Sequence, residues 1–88
     1  MGKAPIGNKL ILSGNIQALT DLQINCVSIT LRSAQSNNIV YLYDSTGAVQ
    51  IGYLLQAEAV TLEVSSPHRI YVLGTEGNAL YWFAEVAK

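Results

Sequence analysis

Three runs decide the fold of this chain: Ala59-Val60-Thr61-Leu62-Glu63-Val64, Arg69-Ile70-Tyr71-Val72-Leu73 and Ala79-Leu80-Tyr81-Trp82-Phe83. Each is five or six residues of β-branched, aliphatic or aromatic character. Turn formers separate them, Ser65-Ser66-Pro67-His68 and then Gly74-Thr75-Glu76-Gly77-Asn78. Runs of this length bounded in this way read as strands. Three in succession over Glu58–Phe83 predict an antiparallel meander as the spine of a small β-domain.

Working outward, Cys26-Val27-Ser28-Ile29-Thr30-Leu31-Arg32 alternates apolar and polar with period two, which predicts a strand with Val27, Ile29 and Leu31 on the core face. Ser33 to Asn38 is a polar loop. Asn38-Ile39-Val40-Tyr41-Leu42-Tyr43 is a further strand, closed by Asp44-Ser45-Thr46-Gly47 as a type I turn. Gln50 to Leu55 is a short strand in which Gly52 marks a bulge. Lys9 to Ser13 is a strand ended by Gly14-Asn15, and Ile16 to Asp21 is ambiguous. No segment carries a helical period. The fold expected is therefore all-β, a small antiparallel β-sandwich, jelly-roll-like, of seven to eight short strands over residues 9–88. Residues 1–8, with Gly2, Pro5, Gly7 and Asn8, are expected as an extended N-terminal arm.

The chain has 88 residues, so one domain is expected, near the size at which a single core is only just sufficient. Hydrophobic residues make up 50% and charged residues 12%. The charged share is about half the roughly 25% of an ordinary globular domain, which implies that part of the surface is covered by other protein. Five Lys/Arg stand against six Asp/Glu, a formal net charge of −1. No basic stripe is written for phosphate neutralisation, and no polybasic cluster for an anionic membrane, so neither nucleic acid nor membrane is an expected partner. Cys26 is the single cysteine and has no partner for an internal disulfide. No signal peptide, lipidation motif or membrane-spanning run is recognisable, and a soluble protein is the expectation.

The parity of the strands is the most informative feature. With one face inward, Val27, Ile29, Leu31, Val40, Leu42, Val60, Leu62, Val64, Ile70, Val72, Leu80 and Trp82 form a coherent core. The opposite face is polar on two strands, with Ser28, Thr30 and Arg32 on one and Thr61 and Glu63 on the other. On three strands it is apolar or aromatic. A strand apolar on both faces is usually buried on both, and no helix is available to cover the second. Ile39, Tyr41, Tyr43, Tyr71, Leu73, Tyr81 and Phe83 are therefore expected to build a self-association or docking surface.

Catalytic chemistry is not expected. His68 is the only histidine and follows Pro67 in a turn. With one cysteine, it cannot supply a four-ligand zinc site. Ser65, His68 and Asp44 could be written as a triad, but no Gly-x-Ser-x-Gly elbow is present. The carboxylates are scattered, Asp44-Ser45-Thr46-Gly47 lacks the alternating oxygens of a calcium loop, and Gly74-Thr75-Glu76-Gly77-Asn78 reads as a hairpin turn. No catalytic residue, cofactor or metal is assigned.

The order of Cys26-x-Ser28-Ile29-Thr30-Leu31-Arg32, Asn38-x-Val40-Tyr41-Leu42-Tyr43-Asp44, Gly52-Tyr53-x-Leu55-Gln56-x-Glu58-Ala59-Val60-Thr61-Leu62 and Ile70-Tyr71-Val72-Leu73-Gly74 resembles small tailed-phage virion proteins. Gln56-Ala57 stands where that family often has Pro-Gly before the glutamate. The resemblance spans about residues 26 to 83. It implies a β-sandwich and, for some members, a capsid decoration (cement) protein on the outside of the head, made in the host cytoplasm. Its partners would be itself, as a homo-oligomer and often a trimer, and the major capsid protein. The alternatives are a carbohydrate- or receptor-binding module of a fibre, stacking ligands on exposed Tyr and Trp82, and a tail or neck adaptor.

Overall fold

A computed structural model describes residues 5–35 and 38–86. Eight strands are formed: β1 (Pro5–Ile11), β2 (Gln17–Ala18), β3 (Cys26–Ser33), β4 (Val40–Tyr43), β5 (Gln50–Leu54), β6 (Ala59–Leu62), β7 (Tyr71–Leu73) and β8 (Ala79–Val86). A 3₁₀ turn over Pro67–Arg69 is the only helical piece among the described residues. The strands make two antiparallel four-stranded sheets, ordered β1-β8-β3-β6 and β2-β7-β4-β5. Except for the β4–β5 hairpin, every connection carries the chain from one sheet to the other. This is the strand order of a jelly roll, as the number and type of strands led us to expect.

The three decisive runs do form β6, β7 and β8, but not a meander. β6 and β8 lie in one sheet, both paired to β3, and β7 lies in the other, paired to β2 and β4. Sequence distance misled because Ser66–Arg69 does not make a tight hairpin. The 3₁₀ turn, begun by Pro67 with its missing N–H, turns the chain away across the sandwich. The fold is thus closed by long-range pairing, with the chain's two end strands, β1 and β8, in register from Pro5↔Glu85 to Ile11↔Ala79. That pairing also corrects the N-terminal arm. Residues 5–8 belong to β1, and residues 1–4 lie outside the described residues.

The core lies between the sheets. Ile29, Leu31, Val40, Leu42, Ile70, Val72, Leu80 and Trp82 are buried as the alternation demands. Val60, Leu62 and Val64 pack against them but are only half-buried, because β6 is an edge strand. Leu12, Leu19, Cys26, Leu54 and Ala84 complete the core. Each fully buried aliphatic of this size stabilises the fold by roughly 1.5–3 kcal/mol. Leu12 and Leu19 sit just beyond strand ends, where single backbone bonds prolong the ladders: Leu12 N–H to Asn78 O (2.8 Å) and Leu19 N–H to Ile70 O (2.8 Å).

Val27 is the one expected core residue that faces out, 43% exposed. A β-bulge between Cys26 and Ser28 shifts the β3–β8 register, with Cys26 opposite Val86 and Ser28 opposite Glu85. An inserted residue reverses parity on one side of the bulge. Cys26 therefore turns inward in place of Val27, its thiol donating to Val64 O at 3.2 Å, and burial pushes its pKa up.

Candidate docking surfaces

The seven residues expected to form one surface lie on opposite sides of the sandwich. Leu80, Trp82 and Ala84 point into the core, so Tyr81 and Phe83 stand on the outer face of the β1-β8-β3-β6 sheet. Val40, Leu42 and Val72 point into the core from the other sheet, so Tyr41, Tyr43, Tyr71 and Leu73 stand on its outer face. Ile39 precedes β4 on that same side and lines a cleft with Tyr41. A single patch built from all seven is excluded by this geometry. Alternation shows which residues share a face of one strand, but not which strands share a sheet.

On the first face, Phe83 and Tyr81 are about half exposed. Phe83 lies between Gly7 of β1, which has no side chain to shield it, and Thr30 of β3. Tyr81 lies between Lys9 and Arg32, with the Lys9 ammonium 5.9 Å from its ring centroid, near the outer limit of a cation–π contact. Thr30 and Thr61 share a hydrogen bond at 2.9 Å across β3 and β6. The face thus carries Tyr81, Phe83 and Ile11 (53% exposed) among polar neighbours.

The second face is partly covered by the chain itself. Asp44 to Val49 fold over β7, and Gly47 comes close enough that a Cβ there would lie 3.4 Å from the Tyr71 ring and 3.6 Å from Ile16 Cγ2. Gly47 has φ +72°, a conformation that favours glycine. The Asp44 carboxylate organises this loop, accepting from Thr46 Oγ1 (2.6 Å) and Thr46 N–H (3.1 Å). Its pKa is lowered chiefly by the Thr46 hydroxyl and also by the backbone N–H groups of Thr46, Val49 and Ala48, against desolvation, which raises it. Tyr71 is half-buried beneath this loop, and Tyr41, Tyr43 and Leu73 are half-buried as well. Sequence parity gave no sign of this cover, because the covering loop is polar and has no strand period.

The outermost part of that sheet is uncovered. β5 is its edge strand, and Val49 (57% exposed), Ile51 (52%), Tyr53 (57%) and Leu55 (44%) project along it. None of these was among the residues expected from sequence. The signal available was charge: the thirteen residues from Ser45 to Ala57 contain no ionisable side chain except Tyr53. An open cleft of about 750 Å³ continues this surface, lined by Asn38, Ile39, Tyr41, Leu55, Gln56 and Thr75.

The residues that could be written as a triad do not assemble. His68 Nδ1 is 2.8 Å from the hydroxyl of Ser66, not Ser65, within the same turn. Asp44 is committed to its own loop. No group of three or more His, Cys, Asp or Glu side chains is placed to hold a metal ion among the described residues. Among the described residues no helix is long and apolar enough to cross a membrane. Trp82 is 5% exposed and belongs to the core, which removes it as a stacking platform.

No protein-family model matches the chain, and no curated protein matches it. Solved structures share its fold. A protein of the disulfide-linked pili that form Bacillus endospore appendages superposes with a TM-score of 0.56 at 9% identity, over 97% of this chain and 88% of that one. Protein NMB1881 from Neisseria meningitidis gives 0.55 at 11% identity, over 96% and 74%. An HTH_3 family transcriptional regulator from Vibrio cholerae gives 0.57 at 13%, over 99% of this chain but 44% of the regulator. Likeness at such identities shows an architecture on which many functions are built.

Proposed function

We propose that this protein is a non-enzymatic virion structural protein of the capsid decoration type, which stabilises a phage head from outside by bridging capsomers as an oligomer. The observation that supports this most directly is that exposed apolar side chains stand on opposite sides of one small sandwich. One group lies on the Tyr81–Phe83 face, and the other on the β5 edge with Ile51, Tyr53 and Leu55. A piece that staples neighbours needs two such faces, whereas a monomeric binding module needs one. Its partners are further copies of itself and the major capsid protein. Avidity over several copies lets each single contact stay weak.

The test is immunolabelling of intact, purified particles with antibody raised against the isolated protein. Label over the outer surface of the heads is the expected result. Label confined to tails or necks makes the protein an adaptor, and unlabelled particles remove it from the virion. The cleft beside Tyr41 favours a second reading, a glycan-binding module, because its lining combines Asn38, Gln56 and Thr75 with Tyr41, Ile39 and Leu55 and carries no charge. Binding on a glycan array that is lost with Gln56→Ala supports that reading instead.

A further inference from the structure

We infer that the outer face of the β1-β8-β3-β6 sheet is the self-association surface, stacked on the same face of a second copy about a two-fold axis that crosses the strands over Phe83. This rests on the oligomeric part of the proposed function and names its interface.

Cross-strand register sorts this face into rows. One row is Lys9, Tyr81, Arg32 and Ala59. Two residues along the strands the next row is Gly7, Phe83, Thr30 and Thr61. Two residues further it holds Glu85 and Ser28. Glu63 reaches the same level from Thr61, and it stands outside because Val64 turns back to the core. The bulge between Cys26 and Ser28 lies beyond this third row and leaves these pairs in register. The first row therefore carries only positive charge and the third only negative, roughly 13 Å apart along the strands.

Within one copy the two ends do not meet. The Lys9 ammonium stands over the Tyr81 ring, and Arg32 Nη1 donates to Ala57 O at 3.4 Å. Neither cation forms an ion pair among the described residues, and nor does Glu63.

The occupant follows from this separation of charge. A two-fold axis that lies between two stacked sheets and runs across their strands reverses the order of the rows. With the axis over the Phe83 row, the positive row of each copy lies over the negative row of the other. The second copy's Glu63 then stands over Ala59, beside Arg32, and its Glu85 over Tyr81, between Lys9 and Arg32. Both contacts occur twice. An unrelated partner would need both signs at this spacing, whereas a second copy carries them by construction. The centre is aromatic, since the two Phe83 rings meet at the axis, and Gly7 leaves one flank of each open. An aromatic centre with charge at its rim is the usual anatomy of an interface. One four-stranded face is small, so the dimer is expected to be weak and to loosen with added salt.

Sedimentation velocity over a concentration series, with circular dichroism to follow folding, tests the stacking. The wild-type chain is expected in a monomer–dimer equilibrium that sodium chloride shifts toward monomer. Arg32→Glu and Glu63→Arg should each raise the dissociation constant about tenfold or more with unchanged dichroism, since like charges then face each other at both pairs. Tyr53→Lys, on the opposite sheet, should not. An equimolar mixture of the two single variants should associate again, because one of the two pairs is then reversed and the other is native. A wild-type monomer at every concentration, a trimer, unchanged association of either single variant, or a mixture no better than its components overturns the proposal. None of these readouts uses a phage particle, so the interface and the virion role fail independently.

Discussion

At the scale of single residues, Ala57 is where this chain strains against its own turn. Glu58 N–H donates to Leu55 O at 3.2 Å, closing a four-residue turn in which Ala57, at the third position, has φ +59°. A turn with positive φ only at that position is of type II, which favours glycine there and proline just before it. Pro-Gly is the pair such a turn asks for, and this chain has Gln56-Ala57 there. Left-handed backbone costs a residue with a Cβ about 1–2 kcal/mol. Ala57→Gly should therefore raise the unfolding free energy by about 1 kcal/mol in urea titration, despite the added freedom of the unfolded chain. Val27 and Ile29 make a sharper pair. Alternation assigns both to the core, and the bulge separates them. Val27→Thr should change stability by less than about 0.5 kcal/mol, as at exposed sites. Ile29→Ala, at a fully buried position, should cost about 2–5 kcal/mol. Comparable losses at both sites would show that β3 runs without a bulge. Nothing in Cys26-Val27-Ser28 announces it, because a bulge is fixed by the cross-strand fit to Glu85 and Val86 rather than by local preference.

At the scale of elements, the 44–49 loop couples a titrating group to the cover of Tyr71. The Asp44 pKa is lowered in the folded chain, so its ionised form stabilises the loop. That contribution is complete above the ordinary carboxylate value near about 4 and is lost as the pH falls through the lower value Asp44 holds when folded. Amide exchange should report this as reduced protection of Gly47, whose N–H donates to Asp44 O at 3.0 Å, in that acid window. Asp44→Asn, which keeps an accepting oxygen but no titration, should flatten the dependence. Protection that falls equally in both proteins would place the acid sensitivity elsewhere. The strands themselves were largely legible: six of the eight lie where apolar runs bounded by turn formers placed them. β2 was not, because two residues have no period, and its pairing to β7 is a long-range one, prolonged by the Leu19 N–H to Ile70 O bond.

At the scale of the whole molecule, sequence parity identified outward aromatic residues correctly but could not sum them into surfaces. Tyr71 and Tyr81 sit on strands adjacent in sequence and on opposite sheets, since the chain crosses the sandwich between them. The excess of apolar surface is also smaller than parity suggests, because the Gly47 loop and Ile16 cover part of one face. Among the exposed apolar side chains are Tyr81 and Phe83 on one side and those of the β5 edge on the other, and the two groups can be separated by mutation. If the Phe83 face joins copies to each other, the β5 edge is left for the head. Ile51→Ser with Tyr53→Ser should then leave sedimentation unchanged, since both side chains are half exposed and outside the core. The same double variant should lose most labelling when added to heads stripped of the wild-type protein. Arg32→Glu should bind those heads with lower avidity while keeping the contact itself. The reverse pattern, with assembly lost in the first variant and head binding lost in the second, would exchange the roles of the two faces.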